Sequence, residues 1–181
     1  MISNHTERME ALTRRLYELL KPALWRWGRY SSTNYALFQP IVALHLTCVD
    51  HTAACLLKTE MHQRQVNDQD RQRAAWYLIR DAIKCLRPPV SVVPTEIQMV
   101  LDVLPHHNQP RAGIIPPECY QYLVLHLAYV TRSHSNDELA ALFRVSLRTI
   151  ANIRNAAIGT VARHIVAWEI NYSPDGDDQR R

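Results

Sequence analysis

The chain has 181 residues, 47% of them hydrophobic and 21% charged, an ordinary balance for one domain or two small ones with a buried core. Only four residues are glycine, so the composition leans away from turn-rich β folds and towards an all-α chain. The net charge of +4 permits an anionic partner without demanding one. No run reaches the roughly 20 apolar residues that a membrane span needs, and no membrane partner is expected.

The basic residues are unevenly chosen. Of 21, only Lys21, Lys58 and Lys84 are lysine, and the other 18 are arginine. Arginine's planar fork suits phosphate and guanine, although GC-rich coding produces the same excess. The cysteines Cys48, Cys55, Cys85 and Cys119 form no C-x-x-C pair. Glu7, Arg8, Glu10, Arg14 and Arg15 interrupt the first turns, unlike the apolar core of a signal peptide. A cytoplasmic protein with reduced thiols is expected.

In chain order, the first helix is expected from Thr6 to Leu20. Met9, Leu12, Leu16, Leu19 and Leu20 make one apolar stripe, and Arg8, Arg14, Arg15 and Glu18 lie largely off it. The segment Trp25, Arg26, Trp27, Arg29, Tyr30 and Tyr35 mixes aromatic and basic residues. It reads first as the packed end of a helix, broken by Gly28 and Ser31-Ser32. The same mixture stacks on single strands or sits at a membrane surface.

A second helix is expected from Pro40, an acceptable first-turn proline, to Arg64. His45, Cys48, His51 and Cys55 would share one face of it. His45 and Cys55 would then stand about 15 Å apart along the axis, too far for one metal. Two neighbours would need further ligands from His62, His106 or His107. Core-facing Cys and His are commoner, so no metal and no cofactor is expected. A third helix is expected from Asp68 to Leu86, with Asp68 and Asp70 at its positive end, Lys84 and Arg87 at its negative end and Pro88 as its stop. Residues 1–87 thus read as an N-terminal helical bundle of unknown role.

Seven of the ten prolines fall between Pro88 and Pro117. Proline is rare inside helices, so 88–117 reads as a proline-rich linker, with room for one short helix from Thr95 to Leu104. Residues 118–172 read as a further helical domain and 173–181 as a disordered polar tail.

The stretch Ser135 to Ile153 reads as two helices around a tight turn. Ser135 or Asn136 can cap the first, with Asp137 and Glu138 at its positive end. Leu139, Ala140, Leu142 and Phe143 supply its buried side. Arg144 and Val145 make the turn. Ser146 caps the second helix, which buries Ile150 and Ile153 and presents Leu147, Arg148, Ala151, Asn152 and Asn155 on the other face. Arginine pairs bidentately with guanine and asparagine with adenine. From Ser146 to Arg163 there are three arginines and no acid, as suits a surface that approaches phosphate. Ile158, Val161, Ile165 and Trp168 follow at a seam-like spacing. They would pack on the Leu123–Val130 helix or on a second copy in a homodimer.

These residues carry a resemblance. Glu138 through Ile150, in the pattern E-L-A-x-x-F-x-V-S-x-R-T-I, resembles the helix-turn-helix of bacterial transcription factors, above all sigma-factor region 4 and the LuxR-type regulators. Pro116-Pro117-Glu118-Cys119-Tyr120 and the apolar run Leu123–Val130 are similar to the helix that opens region 4 in small sigma factors. The resemblance covers under a third of the chain. It implies a second helix in the major groove of double-stranded DNA, with contacts from Ser146, Arg148, Thr149, Asn152 and Asn155. Arg132, Ser135 and Arg154 would meet phosphate. The family often has glycine where this chain has Arg144. A residue with a Cβ in that left-handed turn costs roughly 1 kcal/mol unless Arg144 offsets it by reaching a phosphate.

A sequence-specific transcriptional regulator is the reading expected. Two alternatives stand beside it. One is a small sigma-like initiation factor that binds core RNA polymerase. Trp76 through Arg87 faintly resembles the tryptophan-led helix of such factors, but Asp68-Gln69-Asp70 is a poor stand-in for their acidic polymerase-binding motif. The other is a non-enzymatic adaptor that binds protein. There is no Gly-rich phosphate loop and no G-x-S-x-G elbow, and the adjacent pairs Asp50-His51 and His106-His107 do not make a catalytic geometry. No enzyme is expected.

Overall fold

The computed structural model describes residues 2–29, 34–60, 64–88 and 117–172. Among them the protein is all-α, with no strand. The helices are α1 (Ile2–Arg29), α2 (Gln39–Val42), α3 (Thr47–Thr59), α4 (Asp68–Lys84), α5 (Pro117–Leu125), α6 (Asn136–Phe143) and α7 (Leu147–Tyr172). A 3-10 turn, Tyr35–Phe38, leads into α2, and a π-helical segment, His126–Val130, continues α5. The helix expected at Thr95–Leu104, nearly all of 88–117 and the tail 173–181 lie outside the described residues.

Three helices differ from expectation. α1 does not stop near Leu20 but runs through Pro22 to Arg29. An internal proline costs about 3 kcal/mol. Here its ring is exposed, and the buried stripe carries on beyond it through Ala23, Leu24 and Trp27. Each large apolar side chain so buried returns roughly 1.5–3 kcal/mol, enough to continue the helix. The single helix expected over Pro40–Arg64 is two. α2 ends at Val42, His45 turns the chain in a left-handed conformation with φ 53°, and α3 starts at Thr47 and ends at Thr59. Finally, the helix over Leu123–Val130 widens at His126, where the Thr131 amide donates to the His126 carbonyl five residues back at 2.9 Å.

The chain divides into two compact units that do not follow chain order: Met1–Ala82 with Ile158–Arg181, and Ile83–Ala157. α7 therefore gives its first part to one unit and its second to the other. In the first unit the core is aromatic at its centre. The Trp27 ring lies 4.4 Å from Trp76 and 5.3 Å from Phe38, within the range in which tilted aromatic pairs attract. Leu16, Leu20 and Leu24 of α1, Ile79 of α4, and Ile158, Val161 and Ile165 of α7 are also buried. The Ile158–Ile165 seam is thus covered within one copy of the chain. In the second unit Leu123, Leu125, Tyr129, Leu139, Phe143, Ile150 and Ala157 are buried, and Phe143 stacks on Tyr120 at 4.9 Å.

No helix among the described residues is long and apolar enough to cross a membrane.

Candidate functional site

α6 and the first turns of α7 are held in place mostly by their own residues. α6 starts at a reciprocal cap. Ser135 sits in extended backbone, its hydroxyl accepts the Glu138 amide at 3.3 Å, and its own amide donates to the Glu138 carboxylate at 2.7 Å. Two of the four orphan donors of a helix start are satisfied in this way. Donation from Ser135 holds the Glu138 carboxyl below the usual carboxylate range. Of the two cap candidates, Ser135 is therefore the cap. Asn136, the first helical residue, instead accepts from Arg154 of α7 at 3.3 Å.

α6 ends at Arg144, left-handed with φ 53° and ψ 43°. The Arg144 amide donates to Ala141 at 3.2 Å and the Val145 amide to Ala140 at 3.0 Å. These are the two crossed bonds that close a helix whose next residue is left-handed. A Cβ in this region is strained, and Arg144 adopts it with its side chain exposed. Two residues on, the Ser146 hydroxyl accepts the Thr149 amide at 3.1 Å and lies 2.8 Å from the Thr149 hydroxyl. It caps α7 as serine caps a helix start.

Beyond this cap the helix separates its faces. Ile150 is fully buried and Ile153 half-buried. Arg148 and Asn152 are exposed on the other side, together with Leu147, which is 51% exposed. Asn155 lies one turn beyond Asn152 on this face and is half-buried. Its Oδ1 is enclosed with no hydrogen-bond partner among the described residues. No carboxylate stands on α7 before Glu169.

The expected contact residues are placed differently from one another. Arg148, Asn152 and Arg144 are exposed. Ser135, Ser146 and Thr149 are engaged in caps. Arg154 is half-buried and engaged too: besides Asn136 it bonds Tyr129, whose phenol burial pushes upward in pKa while Arg154 pulls it back. Arg132 is half-buried and left-handed, φ 54°, where the chain leaves the π-helical segment.

One feature of this unit had no sequence signal. His126 opens the π-helical segment and stacks on Tyr122 at 5.0 Å. Its Nδ1 is enclosed without a partner among the described residues. Burial, then Arg87 and Lys84, hold its ring below the usual histidine range. Nothing in the local sequence marks the widened turn, because any apolar helical run accommodates one extra residue when packing favours it.

The His45, Cys48, His51 and Cys55 series does not gather. His45 is in the turn before α3, Cys48 is buried, and only His51 and Cys55 meet, with Nε2 to Sγ at 3.5 Å. Burial and the neighbouring Glu169 push the Cys48 thiol far up in pKa. Among the described residues no three His, Cys, Asp or Glu side chains are grouped to hold a metal ion.

Set beside known proteins, the chain matches no family model, no curated protein and no solved structure.

Proposed function

We propose that the chain binds double-stranded DNA with sequence specificity, laying the first turns of α7 in the major groove, and that it regulates transcription. One observation carries the reading. A helix capped at Ser146 and anchored by buried Ile150 turns Arg148 and Asn152 outward on a face free of carboxylates. Arg148 would take guanine and Asn152 adenine by bidentate pairing, and Leu147 the methyl of thymine. Arg144 is the best placed phosphate contact, since its charge is exposed at the turn. Ser135, Ser146, Thr149 and Arg154 hold the helices for this purpose.

Fluorescence anisotropy on duplexes selected from a random pool tests the reading. Arg148→Ala and Asn152→Ala should each weaken binding to the selected site by about 1–3 kcal/mol. Their affinity for unrelated duplexes should change far less. Equal affinity of wild type and both variants for the selected site would refute the assignment of this face.

The exposure of Leu147 favours one second reading, in which the same face docks on a protein such as core RNA polymerase. That reading predicts no salt-dependent affinity for DNA by the isolated chain, and co-purification with the polymerase that Leu147→Ser abolishes.

A further inference from the structure

The arginines from Arg64 to Arg80 differ in their surroundings from the cations between Arg14 and Arg29 of α1. Arg64, Arg71, Arg73 and Arg80 each lie within ion-pair distance of a carboxylate. On α1, by contrast, Arg14, Arg15, Lys21, Arg26 and Arg29 are all exposed, and none has an ion pair among the described residues. Only one acid, Glu18, interrupts them. At 100° per residue these five fall within the same half of the helix. They extend over about 22 Å of its length.

The helix dipole explains part of this. Arg26 and Arg29 stand in the last turn, where a cation is favoured. Arg14, Arg15 and Lys21 are two or more turns from that end, beyond the reach of the effect. The aromatic content of the face is also selective. Trp27 is buried in the core, while Trp25 is 46% exposed and carries the Arg29 guanidinium over its ring at 3.7 Å.

We infer that the exposed face of α1 from Arg14 to Arg29 is a second binding surface, and that its partner is the phosphodiester backbone of nucleic acid. A line of uncompensated cations on a rigid rod complements a linear polyanion, which releases counterions when its charge is matched. An anionic lipid surface fits less well. A helix that lies in a membrane interface inserts its apolar face, and the apolar face of α1 is already consumed by the core through Leu16, Leu20, Ala23, Leu24 and Trp27. Exposed Trp25 with its stacked arginine offers a base or sugar one aromatic surface beside the cations. The surface does not depend on α7, and the two fail separately.

The test is anisotropy of a labelled 24-base-pair duplex of arbitrary sequence, titrated with the full chain between 50 and 200 mM salt. The variant carries Arg14→Gln, Arg15→Gln, Lys21→Gln, Arg26→Gln and Arg29→Gln. A companion replaces the four arginines with lysine and keeps the charge. The glutamine variant should bind at least about 10-fold more weakly at 50 mM salt. Its plot of log affinity against log salt should be shallower by about 4–5. The lysine variant should follow wild type. If the glutamine variant loses helical circular dichroism, the triple change Arg14→Gln/Lys21→Gln/Arg29→Gln replaces it, with about 2–3 units expected. A folded glutamine variant with the slope of wild type overturns the inference. So does loss of binding to vesicles of one part phosphatidylglycerol and three parts phosphatidylcholine with DNA binding unchanged.

Discussion

Two junctions in this chain have the same outline. α2 gives way to α3, and α6 to α7, through a left-handed residue that is not glycine, His45 in one and Arg144 in the other, both with φ 53°. Both then start a long helix within three residues. The difference lies in who caps that helix. At α7 the cap is local, with the Ser146 hydroxyl accepting the amide of Thr149. At α3 the residue in the cap position is Leu46, which has no side-chain acceptor. The amides of Thr47 and Cys48 donate instead to the two carboxylate oxygens of Glu169, at 2.9 Å each. One junction closes on its own sequence, and the other closes only when the far end of α7 arrives. The first can hold its shape through local chemistry, while the second is a product of tertiary assembly.

The largest effect expected from this contrast is at Glu169. Glu169→Ala leaves two part-buried amides at the start of α3 without their charged acceptor, and such bonds are each worth about 1.5–3 kcal/mol. The two bonds share one carboxylate and water replaces part of the loss, so a total of about 2–3 kcal/mol is expected in denaturant unfolding. Hydrogen exchange should quicken first at Thr47 and Cys48. The Cys48 thiol, which Glu169 helps push up in pKa, should shift down towards its ordinary range in the same variant. A loss within the roughly 0.5 kcal/mol of a neutral surface change would mean that α3 starts without this cap.

At the other junction the matching change is Ser146→Ala, with an expected cost of about 1 kcal/mol and exchange quickened at Thr149 alone. If it costs as much as Glu169→Ala, the distinction between a local and a distant cap has no energetic content. The same distinction explains what could be read in advance. Ser135, Ser146, the turn at Arg144-Val145, buried Ile150 and the span of α4 all follow from residues within four positions of each other, where caps and periodicity act. The break between α2 and α3 does not, because its cap is supplied by Glu169, more than a hundred residues on. Pro22 signals a helix end in sequence, and only the burial of Leu24 and Trp27 overrules it. At the candidate site the exposure of Leu147, Arg148 and Asn152 on α7 was legible from spacing, and the half-burial of Asn155 on the same face was not. The engagement of Arg154 with Asn136 and Tyr129 was not, since an arginine on a basic helix looks the same whether it points to solvent or bridges two helices.

The smallest effects concern the left-handed residues themselves, and they sharpen the contrast most. Each costs roughly 1–2 kcal/mol for its Cβ. Replacement by glycine relieves that cost but loosens the unfolded chain by roughly 0.5–1 kcal/mol. His45→Gly and Arg144→Gly should therefore each stabilise the protein by about 0.5–1 kcal/mol, as read by thermal or denaturant unfolding. Both side chains are exposed, so neither change removes core packing. The two variants should part company on DNA. His45→Gly should bind as wild type does, whereas Arg144→Gly should bind more weakly, with a salt dependence shallower by about one unit. A strained arginine retained at a turn that glycine would fit better is then explained by the phosphate it reaches. If Arg144→Gly gains stability and keeps full affinity, Arg144 has no part in the interface, and the phosphate contacts of this junction must come from the helix ends at Ser135 and Ser146.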